Sequence, residues 1–292
     1  MQNMIFRDYI EEFDHDRVVN CVCRNTSRPN ILDIGEKLGI SQIQKDCRIW
    51  EDVEGDLQGM VLVDDYQNLC IDVADDLIFS SALNEALPWA LEISQIHFNE
   101  RALDLCEYRD TLRLSILKQR GFIETGLRTL RYQFSCWRTM IQGVVPAEYI
   151  VRPLKGESEI HAWLDLHLAV HPEGQLDEEY RRSMMAVPGY RPDLDYVMEY
   201  MDGTLVAYCV GNLEKQSDGS LIGFTDPVAV HPAWHRKGLG QAIMQFCMQK
   251  LMDEGASLIE VTTSSENLPM QRLAESVGFK LIEEKSWLRL EE

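Results

Sequence analysis

Apolar residues fall in two rhythms along the chain. Short runs such as Leu57-Gln-Gly-Met-Val-Leu-Val63, Thr204-Leu-Val-Ala-Tyr-Cys-Val210 and Leu258-Ile-Glu-Val-Thr-Thr263 are of strand length and rich in β-branched residues. Each of the first two follows a Glu-Gly or Asp-Gly turn, at Gly55 and Gly203. Between such runs lie stretches of helical period. In the stretch 238–254, Ile243, Phe246, Cys247, Met248 and Leu251 fall mostly on one face, with Gln245, Gln249 and Lys250 elsewhere. Glu254-Gly255 supplies its stop.

The two halves repeat one order. Ile71-x-Val73 precedes an amphipathic stretch at 77–94, as Val228-x-Val230 precedes the one at 238–254. Each half closes with a short helix and Gly-Phe, from Leu112 to Gly121-Phe122 and from Pro269 to Gly278-Phe279, and the offset is 157 at both ends. A matched series of strand, loop, helix, strand, helix, Gly-Phe and strand indicates a duplicated domain. The stretch 138–152, with Gly143, Pro146 and a fresh strand start at Tyr149, reads as the boundary, giving domains at 1–142 and 148–292. A length of 292 residues suits two domains of about 150.

Composition narrows the classes. Apolar residues make up 45%, which excludes wholesale disorder. With 28 Lys+Arg against 48 Asp+Glu the net charge is −20, which argues against nucleic acid or an anionic membrane surface as partner and is compatible with small cations such as amines. No run approaches the eighteen or so apolar residues of a spanning helix. The segment Met1 to Tyr9 has no basic region followed by an apolar core, so a cytoplasmic protein with reduced thiols is expected. Eight cysteines are scattered singly apart from Cys21-Val22-Cys23, a spacing too short for a usual zinc pair, and no metal is expected.

One segment names its chemistry: Asp226-Pro-Val-Ala-Val-His-Pro-Ala-Trp-His-Arg-Lys-Gly-Leu-Gly-Gln241. A strand enters a loop rich in glycine and basic residues, and a helix opens at Gly238-Leu-Gly240. Backbone N–H groups at a helix start are unpaired and point at whatever lies in the loop, and glycine lets the backbone close around an anion. Arg236 and Lys237 add positive charge to a chain otherwise strongly negative. The ligand expected is a phosphate or pyrophosphate. The G-x-x-x-x-G-K-[ST] and G-x-G-x-x-G patterns are both absent here, since Gly240 is followed by Gln-Ala-Ile.

These residues resemble the GNAT superfamily of acyl-CoA-dependent acetyltransferases. The family's V-x-V strand end, [QR]-x-x-G-x-[GA] helix start and later N-x-x-A…L-Y-x-x-x-G-F find counterparts in Val228-Ala-Val230, His235-Arg-Lys-Gly-Leu-Gly240, Asn267 and Leu273-Ala-Glu-Ser-Val-Gly-Phe279. The match is good over 150–292 and fainter before it, as in a tandem-GNAT arrangement. The resemblance implies an α/β (α+β) fold of two GNAT-like domains. Each is a mixed, mostly antiparallel sheet flanked by helices and splayed at the strand that ends in V-x-V. It implies that acetyl-CoA is the co-substrate and that Val228, Ala229 and Val230 offer backbone groups to its pantetheine arm. Backbone N–H groups of Arg236, Lys237, Gly238, Leu239, Gly240 and Gln241 would hold the pyrophosphate, with His235 in the same cofactor-binding loop and Asn267 near the arm or the acceptor. A backbone N–H at Val230 would polarise the thioester carbonyl.

Two departures stand out. His235 takes the place of Gln or Arg, and Ala274 takes the place of the tyrosine that protonates the departing thiolate. A base is needed as well. Asp226, two residues before Val228, shares its face by strand alternation and is the candidate, its other reading being a turn residue before Pro227. His231 is read as packing or loop structure, and Glu260 and Glu266 as surface carboxylates. Cys247 sits too deep in an apolar helix face to be a nucleophile.

In the first half the phosphate loop maps onto Ala74-Asp-Asp-Leu-Ile-Phe-Ser-Ser-Ala-Leu83, with no glycine and no Lys or Arg, and with Asp75-Asp76 where a pyrophosphate would lie. That half is therefore expected not to bind coenzyme A. Acceptor-side residues are expected from 161–171 and 180–191, where His161, His167 and His171 are surface or core histidines before metal ligands. The expected activity is N-acetyl transfer to the amine of a small molecule or peptide by direct attack, in a monomer or homodimer. The alternatives are a catalytically weak acyl-CoA-binding sensor or scaffold, and a mycothiol-synthase-like acetyltransferase acting on a thiol-sugar.

Overall fold

The computed structural model describes the chain except for residues 1–3, 24–30, 110, 138–143, 173–175, 188 and 217. The side chains of Cys21 and Cys23, and the boundary residue Gly143, lie outside the described set. The elements of the first half are β1 (Ile5–Asp8), α1 (Glu11–Cys23), α2 (Ile31–Leu38), α3 (Ser41–Lys45), β2 (Cys47–Glu51), β3 (Leu57–Val63) and β4 (Leu69–Val73). A 3₁₀ turn at Asp76–Ile78 follows, then α4 (Phe79–Phe98), β5 (Ala102–Tyr108), α5 (Leu112–Gln119) and β6 (Ile123–Ser135).

The second half runs through β7 (Tyr149–Pro153), α6 (Ile160–Val170), α7 (Glu178–Ala186), β8 (Asp195–Tyr200), β9 (Leu205–Lys215) and β10 (Leu221–Val230). After a 3₁₀ turn at Pro232–Trp234 come α8 (Leu239–Asp253), β11 (Leu258–Ser264), α9 (Leu268–Ser276) and β12 (Lys280–Glu291). From β2 and β8 onward the two series match element for element, so the repeat read from the sequence is a repeat of structure.

The chain forms two compact units: Met1–Arg128 with Lys285–Glu292, and Thr129–Glu284. Their borders fall inside strands β6 and β12, away from the 142–148 stretch with its Gly and Pro. The reason is strand membership. Residues 285–291 pair antiparallel with β5, and Leu288 and Leu290 are buried in the N-terminal core with Trp50, Phe79, Leu103 and Phe122. Residues 129–135 pair antiparallel with β11, and Leu130, Tyr132 and Phe134 are buried in the C-terminal core. Each unit thus takes its closing strand from the opposite half of the sequence.

In the N-terminal unit β1 to β4 form an antiparallel sheet in chain order, and β4 meets β5 through a single parallel bridge, Asn68 to Asp104. The C-terminal unit orders its strands β6-β11-β10-β9-β8-β7. All these pairings are antiparallel except β10 with β11. Helix α8 packs on one face over Cys209, Ile259 and Val261, and α6 packs on the other over Val197, Tyr208 and Ala229. Burying both faces is what the long apolar run of β9 requires. Among the described residues no helix is long and apolar enough to cross a membrane.

Candidate active site

Strand β10 pairs with β11 only over Ile222–Phe224 against Leu258–Glu260. Its other edge stays on β9, with Val228, Ala229 and Val230 opposite Cys209, Tyr208 and Ala207. The sheet therefore opens between β10 and β11 just where V-x-V lies. The His231 N–H donates to the Val206 carbonyl at 2.8 Å. Since backbone groups alternate edges along a strand, those of Ala229 also face β9, and those of Val228 and Val230 face the opening.

The loop beyond is tightly specified. His231 Nδ1 accepts from the Ala233 N–H (3.1 Å), capping the 3₁₀ turn, and His235 Nε2 donates to the Val230 carbonyl (2.8 Å). His235 thus acts on the strand end, and its side chain is committed there. The Val230 N–H is left to face the opening. Arg236 (φ 62°) and Gly238 (φ 77°) both take the left-handed conformation, a backbone habit from which anion-binding concavities are built. A Cβ on Gly238 would meet nothing within 4 Å, so this glycine serves conformation. A Cβ on Gly240 would touch Leu273 and Val230 at 3.4 Å, so that one serves packing.

The first helical bond of α8 runs from Ala242 N–H to Gly238 O (3.1 Å), so the N–H groups of Gly238, Leu239, Gly240 and Gln241 have no intrahelical acceptor. Arg236 and Lys237 are exposed beside them, with Lys237 Nζ 4.4 Å over the Trp234 ring, which packs on Tyr149 and Tyr200. Gln241 Nε2 donates to Ser276 of α9 (2.8 Å). Asn267 is exposed and its Oδ1 caps α9 by accepting from the Met270 N–H (3.1 Å). Ala274 is fully buried in the core and offers the opening nothing. Cys247 is fully buried too, against Gly211.

Asp226 lies on the other side of the sheet from Val228 and Val230, contrary to the alternation read from sequence. The register with β9 shifts between Thr225 and Val228, a bulge that flips every following side chain. Thr225 pairs with Gly211, on the α8 face near Cys247, and Val228 returns to that face opposite Cys209. Asp226 accepts from Thr262 Oγ1 at 2.9 Å, and Thr262 alternates with Ile259 and Val261, which are buried under α8. Glu260 is buried rather than on the surface, because Gln133 (2.9 Å) and Arg131 (3.2 Å) of β6 bind its carboxylate. Glu266 is exposed.

On that same face the helices expected to line the acceptor side carry a buried aromatic and polar group. Trp163 stacks on His167, and the His167 Nδ1 lies 2.8 Å from the Tyr208 hydroxyl. Burial, with the charges of His171 and Arg181, pushes the His167 pKa down to about 4, and burial with the charge of Asp226 pushes the Tyr208 phenol well above its ordinary range. Arg181, wholly buried, lies over the Trp163 ring and binds Asp195, which also accepts from Tyr190 (2.6 Å). Thr262, Tyr208 and Asp195 carry no sequence motif, and their partners Asp226, His167 and Arg181 reach them only through the fold. Among the described residues no group of three His, Cys, Asp or Glu is placed to hold a metal.

The corresponding loop of the N-terminal unit is built differently. The Asp75 carboxylate caps its own 3₁₀ turn by accepting from the Leu77 N–H (2.9 Å). Asp76 is bound by Arg113 of α5, whose guanidinium lies over the Phe79 ring.

Residues 160–279 match the model of the Acetyltransferase (GNAT) family. A mycothiol acetyltransferase from Nocardiopsis dassonvillei is 27% identical over 139 residues, covering 45% of this chain and 42% of that protein, so the match spans less than half of that relative. A GCN5-related N-acetyltransferase from Sphaerobacter thermophilus shares the fold with a TM-score of 0.68 at 14% identity, over 99% of this chain and 95% of its own. A tandem GNAT protein from the clavulanic acid biosynthesis pathway does so with a TM-score of 0.70 at 12% identity, over 100% and 98%. At these identities the likeness to the solved structures is one of fold.

Proposed function

We propose that the C-terminal unit, which matches the GNAT family model over residues 160–279, is an acetyl-CoA-dependent N-acetyltransferase acting on the amine of a small molecule or peptide. The observation that carries this reading is the opening between β10 and β11 beside the free N–H groups of the α8 start. Val228 and the Val230 N–H would bind the pantetheine arm as a neighbouring strand would, and the amides of Arg236 to Gln241 would hold the pyrophosphate. Bound there, acetyl-CoA supplies the acetyl thioester.

The residues divide the remaining work. An alkylammonium with a pKa of about 10 must lose its proton before its nitrogen can attack a carbonyl. Asp226, exposed at the mouth of the opening, is our candidate for taking it. The Val230 N–H is placed to stabilise negative charge on the thioester oxygen. No acid is needed at position 274, since a thiolate with a pKa of about 8.5 leaves without one. The N-terminal unit, whose loop is closed by Arg113 and Asp76, binds no acyl-CoA in this reading.

The test is acetyl-CoA consumption by the full chain against a panel of amines, amino sugars, thiol-bearing amino sugars and peptides. Turnover on one class identifies the acceptor. Saturable acetyl-CoA binding with no turnover on any of them would favour a sensor or scaffold, the reading to which the buried Ala274 lends support.

A further inference from the structure

Beneath α6 and α7 the sheet carries buried polar atoms that nothing in the fold satisfies. Trp163, Arg181 and Asp195 are wholly buried and Asn212 nearly so. Yet Trp163 Nε1, Arg181 Nε, Asp195 Oδ1 and Asn212 Oδ1 have no hydrogen-bond partner. Buried polar atoms are ordinarily paired, so four in one neighbourhood point to a bound group. They share one face. Asp195 pairs with Val210 of β9, and Asn212 follows two residues after Val210. A Cβ on Gly211 would meet Cys247 of α8, so Asn212 points to the opposite face, with Asp195. Arg181 of α7 binds Asp195 and lies over the Trp163 ring, 4.1 Å from its centroid. Trp163 packs on Tyr208, their ring centroids 4.7 Å apart, and Tyr208 senses the charges of both Arg181 and Asp226. The patch therefore runs on to the opening.

We propose that this patch is a subsite for the acceptor, and that it takes an amine bearing two uncharged hydroxyl groups, as an amino sugar or an amino diol does. The inference rests on the acetyltransferase reading of the same unit. Charge argues for a neutral group. Arg181 and Asp195 cancel, and a further ion would be buried there without a counter-charge. The count of partners argues for hydroxyls. Trp163 and Arg181 each offer an N–H, and Asp195 and Asn212 each offer an oxygen. A hydroxyl both accepts a bond and donates one, so two hydroxyls satisfy all four atoms. A carboxylate would satisfy only the donors, and an ammonium only the acceptors. Tyr190 is half-buried and bonds the other Asp195 oxygen, which makes it the rim of the subsite.

The test is calorimetric titration of paired amines into the full chain, serinol against isopropylamine and glucosamine against cyclohexylamine. The second of each pair lacks the hydroxyls. The hydroxylated member of at least one pair is expected to bind tighter by about tenfold or more, since a site built for hydroxyls rejects analogues without them. Asn212→Leu keeps the volume and removes the acceptor, and Trp163→Phe keeps a ring and removes the N–H. Each is expected to weaken binding of the hydroxylated amine by about fivefold or more while leaving its partner amine unchanged, which also shows the variant to be folded. No preference within either pair overturns the proposal. So does a preference that both variants keep, the result expected if only internal water bridges these atoms. A preference for hydroxylated amines with no acetyl-CoA consumed would leave the subsite standing and remove the transferase reading, and acetyl-CoA consumption with no such preference would do the reverse.

Discussion

Arg113 reaches Asp76 with two nitrogens, Nε and one terminal nitrogen, each 2.7 Å from the same carboxylate oxygen. The bond closes the loop of the N-terminal unit that corresponds to the loop 231–240 of the other unit. The sequence shows no Lys or Arg in that loop, because the cation arrives from α5 some forty residues later.

Arg113 is buried at its guanidinium while Asp76 is half-exposed, so the pair falls between the buried and surface cases. Replacing Arg113 by Met should lower the stability of the chain by about 1–3 kcal/mol, leaving Asp72 and Asp76 without their shared cation. Urea unfolding of the full chain measures this, and an unchanged midpoint would show the pair to be decorative.

Deleting residues 285–292 removes the strand that pairs with β5 and takes Leu288 and Leu290 out of the N-terminal core. Hydrogen exchange should then lose protection at Ala102–Tyr108 while β8 and β9 keep theirs. Loss confined to the C-terminal unit would contradict the strand assignment.

His167 titrates near pH 4 when folded and near 6.5 when unfolded, because burial disfavours its cation. The unfolded chain therefore binds the extra proton between those values, and stability falls as pH drops from about 6.5 to 4. The loss expected from this one group is about 3 kcal/mol. The His171 pKa is lowered by burial as well and acts in the same direction. His167→Gln should flatten this part of the stability profile, and an equally steep profile in the variant would assign the effect elsewhere.

Arg181 and Asp195 are both wholly buried. Asp195→Ala strands a guanidinium against Trp163 and takes the acceptor from Tyr190, at a cost of about 3–5 kcal/mol. The double variant Arg181→Met, Asp195→Leu should be markedly more stable than the single one. Equal losses would mean that the charges do not need each other.

The repeat, the helix starts and the left-handed glycine turn before α8 were legible because each rests on local chemistry: period, glycine position and charge. The exchange of closing strands was not. Segments 129–135 and 285–291 share an alternation of buried and partly buried residues except at the last position, so periodicity alone does not say which unit each closes. The face of Asp226 was misread for a related reason. Alternation holds only while the ladder is regular, and Asp226-Pro227 interrupts it. Glu260 looked like a surface carboxylate because Arg131 and Gln133 lie far away in sequence.

In the proposed function, acyl-CoA is held by the loop from His235 to Gln241. Calorimetric titration of acetyl-CoA into the full chain tests it, with Gly238→Glu and Lys237→Glu as variants. Gly238 needs a left-handed backbone and Lys237 is exposed, so the second variant checks the charge without straining the first turn. The expected result is one site per chain in the parent and affinity weaker by about tenfold or more in both variants, each a loss of about 1.4 kcal/mol or more. Unchanged affinity in both would place the acyl-CoA site elsewhere and contradict the account.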